Sequence, residues 1–387
     1  MKRRLNQELA RLITAQVCIH AAMAGMRMAT PLLALQQGYS AASVGVLLAL
    51  FALTQVFLAL PAGRFADRHG LHRPLALCVG VSFAGSAVAV AWPHFASLCL
   101  AALCTGGAAG AAVIALQRHV GRLAEGPTEL KKVFSWLSLG PAVSNFVGPF
   151  FAGLMIDHFG FRAAFGLMAF LPLMSWWWSR SVRALPAVEQ VPEHRRRPAW
   201  ALLREVGFRR LLLINWCLSS CWDVHTFVVP LLGHERGLSA SVIGTILGAF
   251  AVSASGVRML LPLFAERVHE WAVIMAAMLT TALLFGVYPL LQGPWAMGLC
   301  SVLAGFALGS VQPMIMSTLH QITPHDRHGE ALGLRLMTIN ASSVLMPMLF
   351  GSAGALVGVG SVFWASGLLV GAGSKLAWGM RGQDPQA

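Results

Sequence analysis

Gly63-Arg64-Phe65-Ala66-Asp67-Arg68-His69-Gly70-Leu71-His72-Arg73 sets one acid, three arginines and two histidines between two apolar runs, 42–62 and 74–92. Each run is close to the ~20 residues that an α-helix needs to cross a bilayer. A polar stretch this short between two such runs reads as a turn at a membrane surface. Gly63 permits close approach of a neighbouring helix. Asp67 falls at a helix end, where it can pair with nearby arginines and receive backbone N–H groups from an adjoining helix N-terminus.

The alternation continues in both directions. Hydrophobic residues make up 57% of the 387, and charged residues only 11%, against about 25% in soluble globular chains. Twelve apolar stretches can be drawn, near 10–35, 42–62, 74–92, 95–117, 133–156 and 162–180, then 210–233, 240–264, 271–289, 295–318, 330–350 and 356–378. The expected fold class is an all-α polytopic membrane protein with twelve transmembrane helices. An N-terminal six-helix bundle is expected over 1–185, a cytoplasmic linker over 186–208 and a C-terminal six-helix bundle over 209–387. The linker is rich in Pro, Arg and Glu, with a short surface helix expected near Trp200 to Val206. The basic start, Met1 to Arg4, leads into a stretch too long for a signal peptide and is read as the first span, retained.

Of the 28 Lys and Arg residues, 25 fall on one side of this arrangement, Arg258 and Arg335 among them. Arg162 and Arg236 fall on the other side, and Arg27 lies inside span 1. The bias predicts that both termini are cytoplasmic, in a bacterial inner membrane. The net charge of +13 is thus read as anchoring charge rather than a nucleic-acid footprint. The seven cysteines all lie in apolar stretches and are read as packing residues, with no disulfide framework and no metal site. Trp176, Trp177 and Trp178 read as interfacial anchors.

A shift of 199 residues superimposes the two halves. Arg11 meets Arg210, Cys18 meets Cys217, Pro31 meets Pro230 and Gly38 meets Gly237. Phe51 meets Phe250, Asp67-Arg68 meets Glu266-Arg267, Gly106 meets Gly305 and Gly110 meets Gly309. Such a register implies two parallel six-span bundles, and parallel repeats suit alternating access.

Residues 63–73 resemble the cytoplasmic loop signature of the major facilitator superfamily: a Gly, three residues, an Asp-Arg pair, a spaced Gly, then basic residues. Gly63, Asp67, Arg68, Gly70 and Arg73 hold those positions, while Leu71 stands at the first basic one. A decayed copy, Pro262-Leu263-Phe264-Ala265-Glu266-Arg267, occupies the second half. The resemblance covers nearly the whole chain. It implies that the network at Asp67, with Glu266 and Arg267 in the second half, forms a cytoplasmic gate that latches the outward-facing state without touching substrate. In span 5, Gly148-Pro149-Phe150-Phe151-Ala152-Gly153 resembles the Gly-Pro-rich motif of the family's exporters, with Ala152 replacing one glycine. The chain departs from many proton-coupled exporters in span 4, where Ala102 stands in place of their arginine.

The polar residues inside the spans are the candidates for a substrate or ion pathway, because ionisable groups there are costly without a task. Gln16, His20 and Arg27 recur at spacings of four and seven, on one face of span 1. In span 7, Asn215, Ser219, Asp223 and Thr226 share a face beside Trp222. An ion pair between Arg27 and Asp223 is one expectation, and Asp223 is the candidate proton or cation relay. A structural ion pair is the alternative. His20 and His225 are weaker proton-carrier candidates, with a hydrogen-bonded core histidine as the alternative for each, and Gln55, Asn145, Gln312 and Asn340 are further candidates, with packing contacts as their alternative.

No Gly-rich Lys-Ser/Thr nucleotide loop is present, so direct ATP-driven pumping is not expected. His119, Asp157 and His158 form no catalytic set, and the chain is read as no enzyme and as needing no cofactor. The expected function is secondary active transport of a small organic, amphipathic or anionic molecule, by ion-gradient-driven efflux. Its expected partners are the substrate, a coupling proton and the lipid bilayer, with no nucleic acid, and it is expected to work as a monomer. The alternatives are an importer or facilitator of an organic anion and a non-transporting membrane receptor.

Overall fold

A computed structural model of the chain describes residues 2–39, 41–185, 198–238, 240–265 and 267–381. Among the described residues there are thirteen α-helices and no strand. They are α1 (Lys2–Gln36), α2 (Ala41–His69), α3 (His72–Ala91), α4 (Phe95–Leu123), α5 (Pro127–Leu137), α6 (Leu139–Phe159) and α7 (Phe161–Ser179), then α8 (Val206–Glu235), α9 (Ala240–Phe264), α10 (Glu270–Val287), α11 (Pro294–Ile322), α12 (His328–Val357) and α13 (Val359–Trp378).

Each expected span is helical, but span 5 is divided. Helices α5 and α6 meet at Ser138, and Pro141 explains why. It has no N–H for the carbonyl of Leu137, and its ring crowds that carbonyl. Eight helical runs among the described residues are long and apolar enough to cross a membrane. Helices α7, α8, α12 and α13 are not among them. Residues 186–197, the centre of the expected linker, lie outside the described residues. The surface helix expected near Trp200 is a 3-10 helix, Ala199–Arg204, which buries Ala199 and Leu202 and exposes Trp200.

The chain packs as two compact units. Unit 1 comprises Met1–Ala124, Leu137–Ala199 and Pro324–Asn340; unit 2 comprises Glu125–Trp136, Trp200–Thr323 and Ala341–Ala387. The start of α12 therefore packs in unit 1, and most of α5 in unit 2.

In unit 1, α1 packs on α6 and α7, α4 on α2 and α3, and α3 on α7. Its core includes Met26, Leu47, Phe51, Leu98, Ala102 and Phe165. In unit 2, α11 packs on α9 and α10, and α13 on α8 and α10. The two lists are related by the sequence repeat, and so are the contacts that set them. A Cβ on Gly106 would run into the Phe51 carbonyl of α2, and one on Gly305 into the Phe250 carbonyl of α9. One turn on, Gly110 lies against Gln55, and Gly309 against Ala254. Small residues let membrane helices approach closely, gaining dispersion contact that lipid cannot supply.

The helix ends repeat as well. Gly38 and Gly237 follow α1 and α8 with φ of 83° and 69°, a left-handed conformation that glycine adopts without a Cβ penalty. Arg11 Nη1 donates to the Ser181 carbonyl at 3.3 Å, just beyond α7. Its repeat partner Arg210 donates to the Gly379 carbonyl at 3.0 Å, just beyond α13. Both cations serve carbonyls left without partners at a helix C-terminus.

Candidate functional site

In unit 1 the polar turn of residues 63–73 is held by residues far away in sequence. Arg118 Nε donates to Asp67 Oδ1 at 2.6 Å. The backbone N–H of Gly329 reaches Oδ1 at 2.8 Å, and that of Glu330 reaches Oδ2 at 3.0 Å. Those N–H groups open α12, where the helix dipole favours a negative charge. The Asp67 and Arg118 side chains are 1% and 2% exposed, so the carboxylate exchanges water for one guanidinium and a helix N-terminus. The approach depends on small residues, since a Cβ on Gly63 would run into the Gly329 carbonyl and one on Gly333 into the Ala59 carbonyl. Around this centre, Glu330 pairs with Arg64 at 3.0 Å and with Arg327 at 2.8 Å. Arg327 also donates to the Pro198 carbonyl at 3.0 Å. Gly70 turns the chain with φ of 72°, while Arg68 and Arg73 are exposed.

Unit 2 holds a second buried ionic centre, built from different residues. Glu266 lies outside the described residues, and Arg267 is exposed. The acid is instead Glu270, at the start of α10. It accepts from Ser317 at 2.9 Å and Gln321 Nε2 at 2.8 Å on α11, with Lys131 Nζ of α5 3.6 Å away. Lys131 also donates to the Val268 carbonyl at 2.7 Å. One turn from each of Lys131 and Ser317 in sequence, the Phe134 and His320 rings pack on each other with centroids 4.8 Å apart. Under the 199-residue shift Lys131 corresponds to Glu330, and Ser317 to Arg118. The two centres thus occupy related positions with the charges redistributed. The charge census places Lys131 among the anchoring charges; its only local signal is a position two residues before span 5.

The intramembrane candidates have different surroundings. On α1, Gln16 is buried against Gly140, with neither amide atom hydrogen-bonded. His20 is half-buried, and Arg27 is exposed. On α6, Asn145 is exposed, Gly148 lies on the Ala21 carbonyl, Pro149 is inside the helix and Gly153 approaches Met28. The motif residues thus include the α1–α6 crossing. Gln312 on α11 and Asn340 on α12 are half-buried.

On α8, Asn215 is buried, and Trp222 and Asp223 are half-buried. Thr226 Oγ1 donates to the carbonyls of Trp222 and Asp223 at 3.0 and 3.2 Å. His225 is fully buried. Its ring stacks on Phe250 at 4.0 Å, and its Nε2 lies 2.9 Å from Ser301 Oγ, which Tyr288 meets at 2.8 Å. Ser301 is the repeat partner of Ala102.

Arg258 lies within α9, 7% exposed, with Nε donating to the Gly309 carbonyl of α11 at 3.2 Å. Its Cζ lies 5.6 Å from the centroid of the Trp222 ring. Arg335, within α12, is likewise buried.

A sequence model of the Major Facilitator Superfamily matches residues 12–296 and 211–386. Multidrug resistance protein MdtG of Escherichia fergusonii is 24% identical over 246 residues, which span 60% of this chain and 59% of that protein. The MFS-type transporter YuxJ of Bacillus subtilis is 22% identical over 258 residues, spanning 65% and 66%. The chain therefore matches about three fifths to two thirds of the length of these relatives. Among solved structures, the human organic anion transporter MFSD10 (TETRAN) superposes with a TM-score of 0.79 at 16% identity, covering 96% of this chain and 99% of that one. A bacterial homologue of the iron transporter ferroportin, in an outward-facing state, superposes with a TM-score of 0.77 at 16% identity, covering 96% and 97%. At these identities the likeness is one of fold.

Proposed function

The chain belongs to the Major Facilitator Superfamily, and on that premise we propose that it is a secondary active transporter that exports a small organic, amphipathic or anionic molecule. Membership points to a transporter rather than an enzyme. In this reading the chain crosses a bacterial cytoplasmic membrane twelve times, with both termini inside, as six-helix bundles over 1–185 and 209–387 joined by the linker 186–208. It works as a monomer by alternating access, and a proton gradient drives the export. Asp223 is the relay for the coupling proton, and Arg27 serves the pathway.

The observation that carries this reading is the buried Asp67–Arg118 pair at the N-terminus of α12. Burying such a pair costs desolvation, and apolar residues often hold a static contact as well. An ionic clasp that water can replace when the helix ends part suits a contact broken and remade in each cycle. Glu270 and Lys131 supply a second such clasp. The multidrug-resistance name of the MdtG relatives supports export. The buried Arg258 favours an anionic group on the substrate and would serve import equally well.

Metabolite profiling tests the reading. Cells lacking the protein, expressing it, or expressing Asp223→Asn at matched membrane levels are compared for compounds inside and outside. A compound moved outward by wild type but not by the variant is the expected result. A compound taken up from the medium would replace export by import of an organic anion. No compound moved in either direction would leave a non-transporting receptor.

A further inference from the structure

Helices α7 and α13 end in matching clusters. In unit 1, His72 opens α3 and Trp176 lies in the last turn of α7, with their rings edge to face and centroids 6.4 Å apart. In unit 2 the repeat partner of His72 is Trp271, in the first turn of α10. Its ring stands edge to face with that of Trp378, the last residue of α13, at 5.6 Å. An arginine lies on each cluster. Arg180 Cζ sits 3.7 Å from the centroid of the Trp177 ring, and Arg381 Cζ sits 5.5 Å from the centroids of both Trp271 and Trp378. Neither arginine is needed as a cap. The Ser181 carbonyl beyond α7 and the Gly379 carbonyl beyond α13 are already served by Arg11 and Arg210. Both arginines are exposed, and among the described residues neither side chain makes a hydrogen bond or an ion pair. An indole holds a guanidinium through its electron-rich face and consumes none of the five N–H donors.

The depth of these clusters decides what can meet them. In the twelve-span reading each closes the sixth span of its half, and the exposed Trp177, Trp178 and Trp378 mark the bilayer interface. The anion available at that depth is the phosphate of a lipid headgroup. Phosphate matches the planar guanidinium fork with two parallel N–H···O bonds. We propose that Arg180 and Arg381 each bind the phosphodiester of an anionic phospholipid of the phosphatidylglycerol type, one lipid at the closing helix of each half. The tryptophan rings hold the fork in place. Arg11 and Arg210 add a second positive charge at the same helix ends. That charge repels the ammonium of a zwitterionic headgroup and so selects the anionic one. The inference rests on the membrane placement in the reading above and does not require that a substrate moves.

The test is native mass spectrometry of the full chain released from detergent micelles, with dioleoylphosphatidylglycerol and dioleoylphosphatidylcholine as probes sharing their acyl chains. Wild type is expected to retain two molecules of the anionic lipid, each about tenfold more tightly than the zwitterionic one. Arg180→Gln and Arg381→Gln each retain one, and the double variant retains none. Arg180→Lys keeps the charge but loses the fork, and weakens the unit 1 site about tenfold. Trp177→Leu weakens the same site without altering any charge. Arg183→Gln and Arg209→Gln, at exposed arginines that rest on no ring, retain both lipids. Equal retention of the two lipids by wild type would overturn the proposal. So would a loss in Arg183→Gln or Arg209→Gln as large as in Arg180→Gln or Arg381→Gln, which would reduce the effect to net charge. Displacement of the lipid by inorganic phosphate at equal concentration would overturn the headgroup assignment. If the double variant does not fold, wild-type affinity in Arg180→Lys overturns it instead. Selective lipid retention with no compound moved in cells would count against the transporter reading alone. Transport in cells without selective retention would count against these lipid sites alone.

Discussion

Arg118 donates its Nε–H to Asp67 Oδ1 at 2.6 Å across the contact between α4 and α2. With the N–H groups of Gly329 and Glu330 added, one carboxylate joins three helices of unit 1. Removing it leaves a buried guanidinium with its carboxylate partner gone. Asp67→Ala is expected to cost about 3–5 kcal/mol. The double variant Asp67→Ala/Arg118→Met is expected to recover part of that loss, because no unpaired charge remains buried. Thermal unfolding of the four proteins of the cycle measures the coupling. Strict additivity would mean that the pair is not energetically linked.

The centre at Glu270 obeys the same logic with the charges exchanged. Lys131→Met strands a carboxylate that still accepts from Ser317 and Gln321. A loss of about 3 kcal/mol is expected. Adding Glu270→Gln removes the stranded charge and returns much of the stability. A larger loss in the double variant than in Lys131→Met would contradict this account.

The glycine crossings predict paired effects in the two halves. Gly106→Ala and Gly305→Ala each press a methyl group against a phenylalanine carbonyl, at Phe51 and Phe250. Each is expected to destabilise by about 1–3 kcal/mol. Gly248→Ala on α9 meets nothing within 4 Å and is expected to stabilise by up to about 1 kcal/mol. Melting midpoints of the three variants separate a packing role from a general intolerance of substitution.

Arg27 is exposed on α1, unlike the buried Arg118. Arg27→Ala is therefore expected to change stability by no more than about 0.5 kcal/mol. Its transport rate should nevertheless fall strongly if the cation serves the pathway. The same preparation read by thermal unfolding and by uptake into vesicles tests both halves of this prediction. Normal transport in a stable variant would remove Arg27 from the pathway.

Much of the helical framework is legible because hydropathy and repetition are one-dimensional properties. The twelve apolar stretches coincide with helices, and the 199-residue register returns as matched crossings at Gly106 and Gly305. The division of span 5 was not legible in this way, because hydropathy runs through it and prolines such as Pro149 and Pro172 sit inside unbroken helices. The ionic centres were less legible. That Asp67 would seek an arginine and helix N–H groups follows from its place at a helix end. Which arginine, and which helix, depends on a chain segment 262 residues away. Lys131 and Glu270 carry no sequence motif, and in a positively biased chain one more lysine near a span end reads as anchoring.

The sequence by itself determined a family, an apolar helical framework and an internal repeat, because each follows from the order and spacing of residue types. Tertiary structure alone decided what each charge meets. Arg258 shows the difference. Its position near the end of α9 suggests a surface residue, yet Pro313 on another helix withholds a donor from Gly309, and the guanidinium turns inward to replace it. A long cation takes its environment from wherever its head group is satisfied, and that place is set by the neighbouring helix.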